Sequence, residues 1–178
     1  MSRRPLRPAA LILAALLLAL FLKVFVLDIA VVDGRSMLPA LRSGDTVAIF
    51  RCAYGLRLPF GRGSYLFSWR APKAGELVAA ANPQDGRAVV KRVAGIGPLT
   101  LALEGERLVG SGLDLPPSPT VEGRAARQAE GGLSVPEGHF LLLGDNLCES
   151  VDSRSYGALP FSSIAGEVLS FPRKSASR

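Results

Sequence analysis

The chain opens on a basic stretch, Arg3, Arg4 and Arg7, and then turns apolar. Every residue from Ala9 to Leu22 is hydrophobic, and after Lys23 the run resumes from Val24 to Leu27. An apolar stretch of this length spans a bilayer as a helix. Lys23 lies near its far end, where the side-chain stem can snorkel to the interface. The preceding arginines put residues 1–8 on the cytoplasmic side by the positive-inside rule, and everything after the 9–27 anchor on the other side. A cleavable signal peptide has the same basic-then-apolar plan but needs a small-x-small site. The nearest such site, ending at Ala30, has Asp28 at the third position back, so a retained anchor is the reading that follows.

After the anchor the pattern breaks into short runs. Val31 to Leu41 contains Gly34 and Pro39 and reads as irregular. Thr46–Phe50, Glu76–Ala81, Arg87–Val93, Leu99–Leu103, Arg107–Val109, Phe140–Leu143 and Gly166–Phe171 are strand-like, each bounded by Gly, Pro, Asn or Asp. No long 3.6-residue period appears past residue 30. The expectation is a mainly β chain: a single transmembrane helix, then an all-β domain over residues 28–178. Between Gly110 and Gly132 the composition shifts to Pro, Ser, Gly and scattered charge, which reads as an exposed insertion or small lobe.

Composition narrows the class further. The 178 residues leave enough chain after the anchor for one domain with a real core. With 48% hydrophobic and 20% charged residues, the chain is not a disordered one. A net charge of +6 and a pI of 9.9 raise the question of nucleic acid. The basic residues are spread out, however, with Arg173, Lys174 and Arg178 closing the chain, and no basic surface interleaved with aromatics lies between the ends. This argues against nucleic acid and for contact with anionic membrane lipid. Cys52 and Cys148 show neither CxxC spacing nor a neighbouring histidine pair, which excludes a zinc site and leaves a disulfide or two thiols open.

A hydrolase needs a nucleophile and a base. The one histidine, His139, sits in a turn leading into an apolar strand and reads as a strand-edge residue bonded to backbone, a poor centre for a Ser-His-Asp triad. The alternative base is an amine, which works near neutral pH only when burial drives its pKa down. Lys91 lies in Ala88-Val89-Val90-Lys91-Arg92-Val93, where alternation puts Val89 and Val93 on its face and Val90 and Arg92 on the other. An exposed strand lysine would look the same from this window. Ser36, in Gly34-Arg35-Ser36-Met37-Leu38-Pro39, alone reads as a turn residue. The segment Gly144 to Gly157 is denser in polar groups and looks like a loop braced by its own hydrogen bonds and by an ion pair from Arg154 to Asp152 or Asp145. Calcium-ligand spacing is absent from it.

In this order, the segments resemble the type I signal peptidase family, serine peptidases with a Ser-Lys dyad. Ser36-Met37-Leu38-Pro39-Ala40-Leu41 is similar to the family's serine box, and Gly44 to Ile49 to the strand after it. Lys91-Arg92-Val93-Ala94-Gly95 is similar to its lysine box, and Gly144 to Gly157 to its Gly-Asp-Asn and Ser-x-Asp-Ser-Arg box. Tyr54 to Arg57 and Val135 to His139 match connecting segments, whereas residues 96–134 match poorly. The resemblance implies Ser36 as nucleophile, Lys91 as base, Ser150 as the hydroxyl that orients the lysine, and Asp145, Asp152 and Arg154 as braces. It also implies an oxyanion held by the Ser36 backbone N–H. Gly34 stands where some members carry a second donor hydroxyl. Ala40 for the box threonine, and Gly95-Ile96-Gly97-Pro98-Leu99 for the usual turn, are further departures.

The implied activity is removal of signal peptides from exported preproteins after small-x-small sites, without metal or organic cofactor. Its place would be the outer face of a bacterial plasma (inner) membrane, in contact with the export machinery. Two readings stand beside it. One is a specialised relative with a single dedicated substrate, as in conjugation or pilin maturation. The other is a non-catalytic homologue that binds signal sequences. Self-cleaving repressors also use Ser and Lys, but the anchor and the lack of a DNA-binding helix pair argue against them.

Overall fold

Residues Pro8–Phe21 form helix α1, whose side chains are exposed throughout, as an apolar helix must be if lipid is its solvent. The computed structural model describes residues 8–57 and 65–170. The basic residues of both termini, and the Phe171 end of the last predicted strand, lie outside the described residues. A π-helical turn over Leu22–Val26 continues α1, and the combined span of 19 residues, Pro8–Val26, is long and apolar enough to cross a membrane. The anchor expected over 9–27 ends earlier, because Leu27 is the first residue of strand β1 (Leu27–Val31). Apolar continuity alone cannot mark that change of conformation. Pairing marks it: the Arg51 N–H and the Cys52 thiol donate to the carbonyls of Val26 and Phe25, which the ending helix leaves free.

The remaining strands are β2 (Thr46–Phe50), β3 (Gly55–Arg57), β4 (Tyr65–Ser68), β5 (Leu77–Ala81), β6 (Ala88–Ile96), β7 (Leu99–Glu104), β8 (Arg107–Gly110), β9 (Leu113–Leu115), β10 (Gly132–Val135), β11 (His139–Leu143), β12 (Leu159–Pro160) and β13 (Ile164–Ser170). Each predicted strand is present, within a few residues at its ends. The main sheet has the order β1-β2-β13-β5-β6-β11-β12, and every neighbour pair is antiparallel. A second sheet, β10-β7-β8-β9, forms the small lobe, and β3 pairs with β4 as a hairpin.

Strand β11 explains how the two sheets hold together. Successive side chains point to opposite faces. Phe140 and Leu142 pack into the core of the main sheet with Tyr54, Val78, Val93 and Ile164. Leu141 and Leu143 pack the other way, with Leu101, Leu108, Leu133 and Val135 of the lobe. A stretch buried on both faces must be apolar throughout, which is why Phe140 to Leu143, after His139 at the strand's start, show no alternation.

The 110–132 stretch is more ordered than its composition suggests. It contains β9 and helix α2 (Val121–Glu130), which the expectation of an all-β domain missed. Helix α2 starts at Thr120, whose hydroxyl accepts the Gly123 N–H, and ends at Gly131 in the left-handed conformation. Its buried face consists of Gly123 and Arg127 and carries no apolar stripe for a 3.6-residue pattern to reveal. A four-residue helix, α3 (Ser153–Tyr156), follows the polar loop after β11.

Candidate active site

Ser36 lies in the turn between β1 and β2, at the edge of a bulk it does not join. Its neighbour Met37 is 2% exposed and packs with Leu41, Val47 and Val168, which pins the turn to the sheet. Asn146 holds the turn from the other side: its N–H donates to the Ser36 carbonyl at 2.9 Å and its side-chain amide to the Arg35 carbonyl at 3.2 Å. The Ser36 side chain stays partly exposed, and its N–H donates to no group among the described residues.

Lys91 sits in the middle of β6, opposite Val78 of β5, and is 3% exposed. Its Nζ donates to Ser150 Oγ at 2.9 Å, and Ser150 is fully buried. Burial pushes the Lys91 ammonium below its ordinary range, the Arg154 charge pushes the same way, and the Asp152 carboxylate opposes both. A lysine in that setting holds a neutral amine at lower pH than a surface lysine does.

The loop after β11 is built around one buried ion pair. Asp152 Oδ1 and Oδ2 accept from Arg154 Nε and Nη2, each at 2.9 Å, and neither side chain is exposed. The same carboxylate accepts the Gly144 N–H, tying the loop back to the end of β11. Arg154 also donates to the carbonyls of Ser150, Leu147, Pro116 and Pro117. It thereby fixes the backbone under Ser150 and links it to the lobe. Of the two ion pairs that the sequence left open for Arg154, the structure has the one with Asp152. Asp145 instead takes Arg92 in a two-pronged pair at 2.7 Å. Its bracing joins the loop to β6, one residue past Lys91.

Gly144 is where these parts meet. A Cβ there would lie 2.5 Å from the Ser36 carbonyl oxygen and from the Ser150 Cβ, and closer still to the Ser150 hydroxyl. Only a residue without a side chain lets the Ser36 turn and Ser150 come this near to each other. Gly34 is glycine for a different reason: its φ of +89° is a conformation that other residues adopt only with strain, and this accounts for the missing hydroxyl.

Beside Ser36 runs an apolar groove of about 160 Å³ between Ala30 and Val31 of β1, with Val32 just after them, and Ala88, Val89 and Val90 of β6, floored by Met37, Val47, Ile49 and Ala79. Asp33 is its one charged lining residue. Strand β1 is an edge strand, and Ala88–Lys91 pair with β5 alone because the β11 register begins only at Arg92. Two strand edges therefore flank the groove with backbone groups able to pair with an extended peptide.

The site thus gathers Ser36, Lys91, Ser150, Asp145, Asp152 and Arg154. His139 is elsewhere, at the start of β11, its Nδ1 against the Glu137 carbonyl. Of the disulfide and the two thiols that the sequence left open, the structure has the thiols: Cys52 and Cys148 are free, and Cys148 is exposed. Asn146 and Gly144 were visible in the sequence only as parts of the Gly-Asp-Asn run, and the groove walls not at all. Among the described residues no group of three or more His, Cys, Asp or Glu side chains comes together to hold a metal ion.

The family described as signal peptidase, peptidase S26 matches residues 6–171. The chain is 33% identical over 147 residues to the mitochondrial ATP-independent inner membrane protease subunit 1a of Arabidopsis thaliana, covering 82% of this chain and 70% of that one. It is 28% identical over 159 residues to the probable signal peptidase I-1 of Synechocystis, covering 89% and 78%. A signal peptidase I crystal structure from Enterococcus faecalis superposes on 57% of this chain and all of that one, with 26% identity and a TM-score of 0.41.

Proposed function

We propose, for a chain that belongs to the peptidase S26 signal peptidase family, that it is a membrane-anchored serine endopeptidase removing signal peptides from exported preproteins. Ser36 is the nucleophile and Lys91 the general base. The observation that carries this reading is the buried Lys91 amine on Ser150, with the Ser36 turn held beside it across Gly144.

The chemistry follows from those positions. Neutral Lys91 takes the Ser36 hydroxyl proton as the oxygen attacks the scissile carbonyl carbon, and the resulting ammonium gives that proton to the departing amine. An ester to Ser36 remains. Water, deprotonated by the same amine, then attacks the ester carbonyl, and the proton returns to Ser36 as the acid leaves. Ser150 keeps Lys91 Nζ aimed along this path, and Asp152, Arg154 and Asp145 hold Ser150 and β6 in place. The unbonded Ser36 N–H is available to the oxyanion of each tetrahedral intermediate.

Small-x-small selectivity fits the groove. Its valine and alanine walls leave room for short apolar side chains, and an extended peptide places alternate residues on the same face. The apolar Pro8–Val26 helix runs directly into β1, which supports a site beside a bilayer, and the membrane we propose is a bacterial plasma membrane with the N-terminus cytoplasmic. Signal peptides, anionic lipid and the export machinery are the partners this implies.

The test is cleavage of a preprotein in detergent by wild type, Ser36→Ala and Lys91→Ala. Lys91→Ala is expected to lower the rate by roughly 10²-fold or more, the usual range for removing a general base, and Ser36→Ala by at least as much because no ester can form. Undiminished cleavage by either variant would sink the mechanism.

A further inference from the structure

Arg35 directly precedes Ser36 and Glu149 directly precedes Ser150, and the two side chains reach towards each other, with Arg35 Nε 3.5 Å from Glu149 Oε2. They are 69% and 45% exposed, so the pair stands at the mouth of the site. It is not needed to join the two segments, which Asn146 already staples through the Ser36 and Arg35 carbonyls. An exposed pair of this kind adds little stability and exchanges readily with other charges in reach. The ion pair runs through Nε of the guanidinium, and among the described residues its Nη groups make no hydrogen bond. Those groups can take an incoming carboxylate in the two-pronged geometry that arginine favours.

The groove reaches Ser36 from the β1 and β6 side, while the loop carrying Asn146 and Glu149 lies against the Ser36 carbonyl. A peptide whose residues before the scissile bond fill the groove therefore leaves past Arg35 and Glu149. The nearby Arg92 is occupied by Asp145, which leaves Arg35, among the described residues, as the cation that faces Glu149. We infer that Arg35 and Glu149 form an exchangeable charge gate on the leaving side, in which Arg35 selects an acidic side chain at the first residue after the scissile bond, displacing Glu149. This rests on the peptidase reading above.

The test is kcat/KM, in detergent, on one small-x-small peptide carrying Asp, Ala or Lys at the first position after the cleaved bond. Wild type is expected to favour Asp over Lys by about threefold or more, the scale of one partly exposed ion pair. Arg35→Gln levels the preference, Arg35→Glu reverses it, and Glu149→Gln strengthens it by freeing the guanidinium. Raising salt from about 0.05 to 0.5 M shrinks the wild-type ratio, because exposed charges are screened. Wild type that cleaves the Ala peptide, with an Asp-to-Lys ratio that none of these variants shifts, overturns the gate and leaves the peptidase reading intact. Failure to cleave all three peptides overturns both.

Discussion

Lys91 Nζ and Ser150 Oγ are 2.9 Å apart, joining the middle of β6 to the loop beyond β11, with Lys91 3% exposed and Ser150 not exposed. An amine removed from water in this way needs a partner whose position does not drift. The Ser150 hydroxyl has one because its backbone is fixed by the Arg154 guanidinium and by the Asn146 carbonyl. The geometry of the base is therefore decided as much by the loop after β11 as by β6 itself.

The pH dependence follows from the direction of the Lys91 shift. With neutral Lys91 as the proposed base, cleavage should fall as pH drops through the lowered folded-state pKa and level off above it. The unfolded chain carries this lysine near 10.5, so between the two values the unfolded state binds more protons and stability should rise with pH. A rate profile together with thermal melts across the same pH range measures both. A rate flat down to about pH 5 is incompatible with a neutral-amine base.

Ser150→Ala removes the acceptor of the Lys91 hydrogen bond. We expect kcat to fall roughly 10- to 100-fold with KM little changed, since orientation of the base is lost and the groove is not. The ammonium also loses a bond that stabilised it, so the acid limb of the rate profile should move to still lower pH. A merely structural role for Ser150 would lower activity without moving that limb.

Gly144→Ala adds one methyl group and removes no polar atom. Its Cβ would collide with Ser150 and with the Ser36 carbonyl, separating the turn from the base, and kcat should drop by about 10²-fold. Gly34→Ser, which restores a hydroxyl at the place where some members carry one, is expected to lower activity too, because the residue sits at a φ of +89°. Kinetics on the two variants checks both outcomes.

The two aspartates that the sequence grouped as braces should behave differently. Asp152→Ala leaves Arg154 buried without a counter-charge and should destabilise the fold by about 3–5 kcal/mol. Asp145→Ala breaks a pair whose side chains are 36% and 17% exposed and should cost about 1 kcal/mol. Urea melts of the two variants distinguish them.

The small lobe should also matter to catalysis. Ser118 links its Oγ to Ser155 at 2.7 Å, beside the Arg154 that holds Pro116 and Pro117. Ser118→Ala should lower stability by about 1 kcal/mol and cleavage severalfold, read as a melt and a kcat.

Local chemistry alone determined a good deal of this protein. The apolar run after three arginines, the strands bounded by turn residues, and the serine, lysine and Gly-Asp-Asn segments in their order are all properties of neighbouring residues, which side-chain hydrophobicity and turn chemistry express directly. Tertiary structure decided the rest, because it depends on pairings between distant segments. Leu27 is strand because β2 pairs with it, and α2 is a helix because caps at Thr120 and Gly131 and a close approach of Gly123 to Ser155 support a sequence with no apolar stripe. Arg154 takes Asp152 and leaves Asp145 to Arg92. Above all, Lys91 is a candidate base and not a surface lysine only because β5, β6 and the loop after β11 together shut it away from water. That burial is a sum over segments far apart in the chain, and no window around Lys91 contains it.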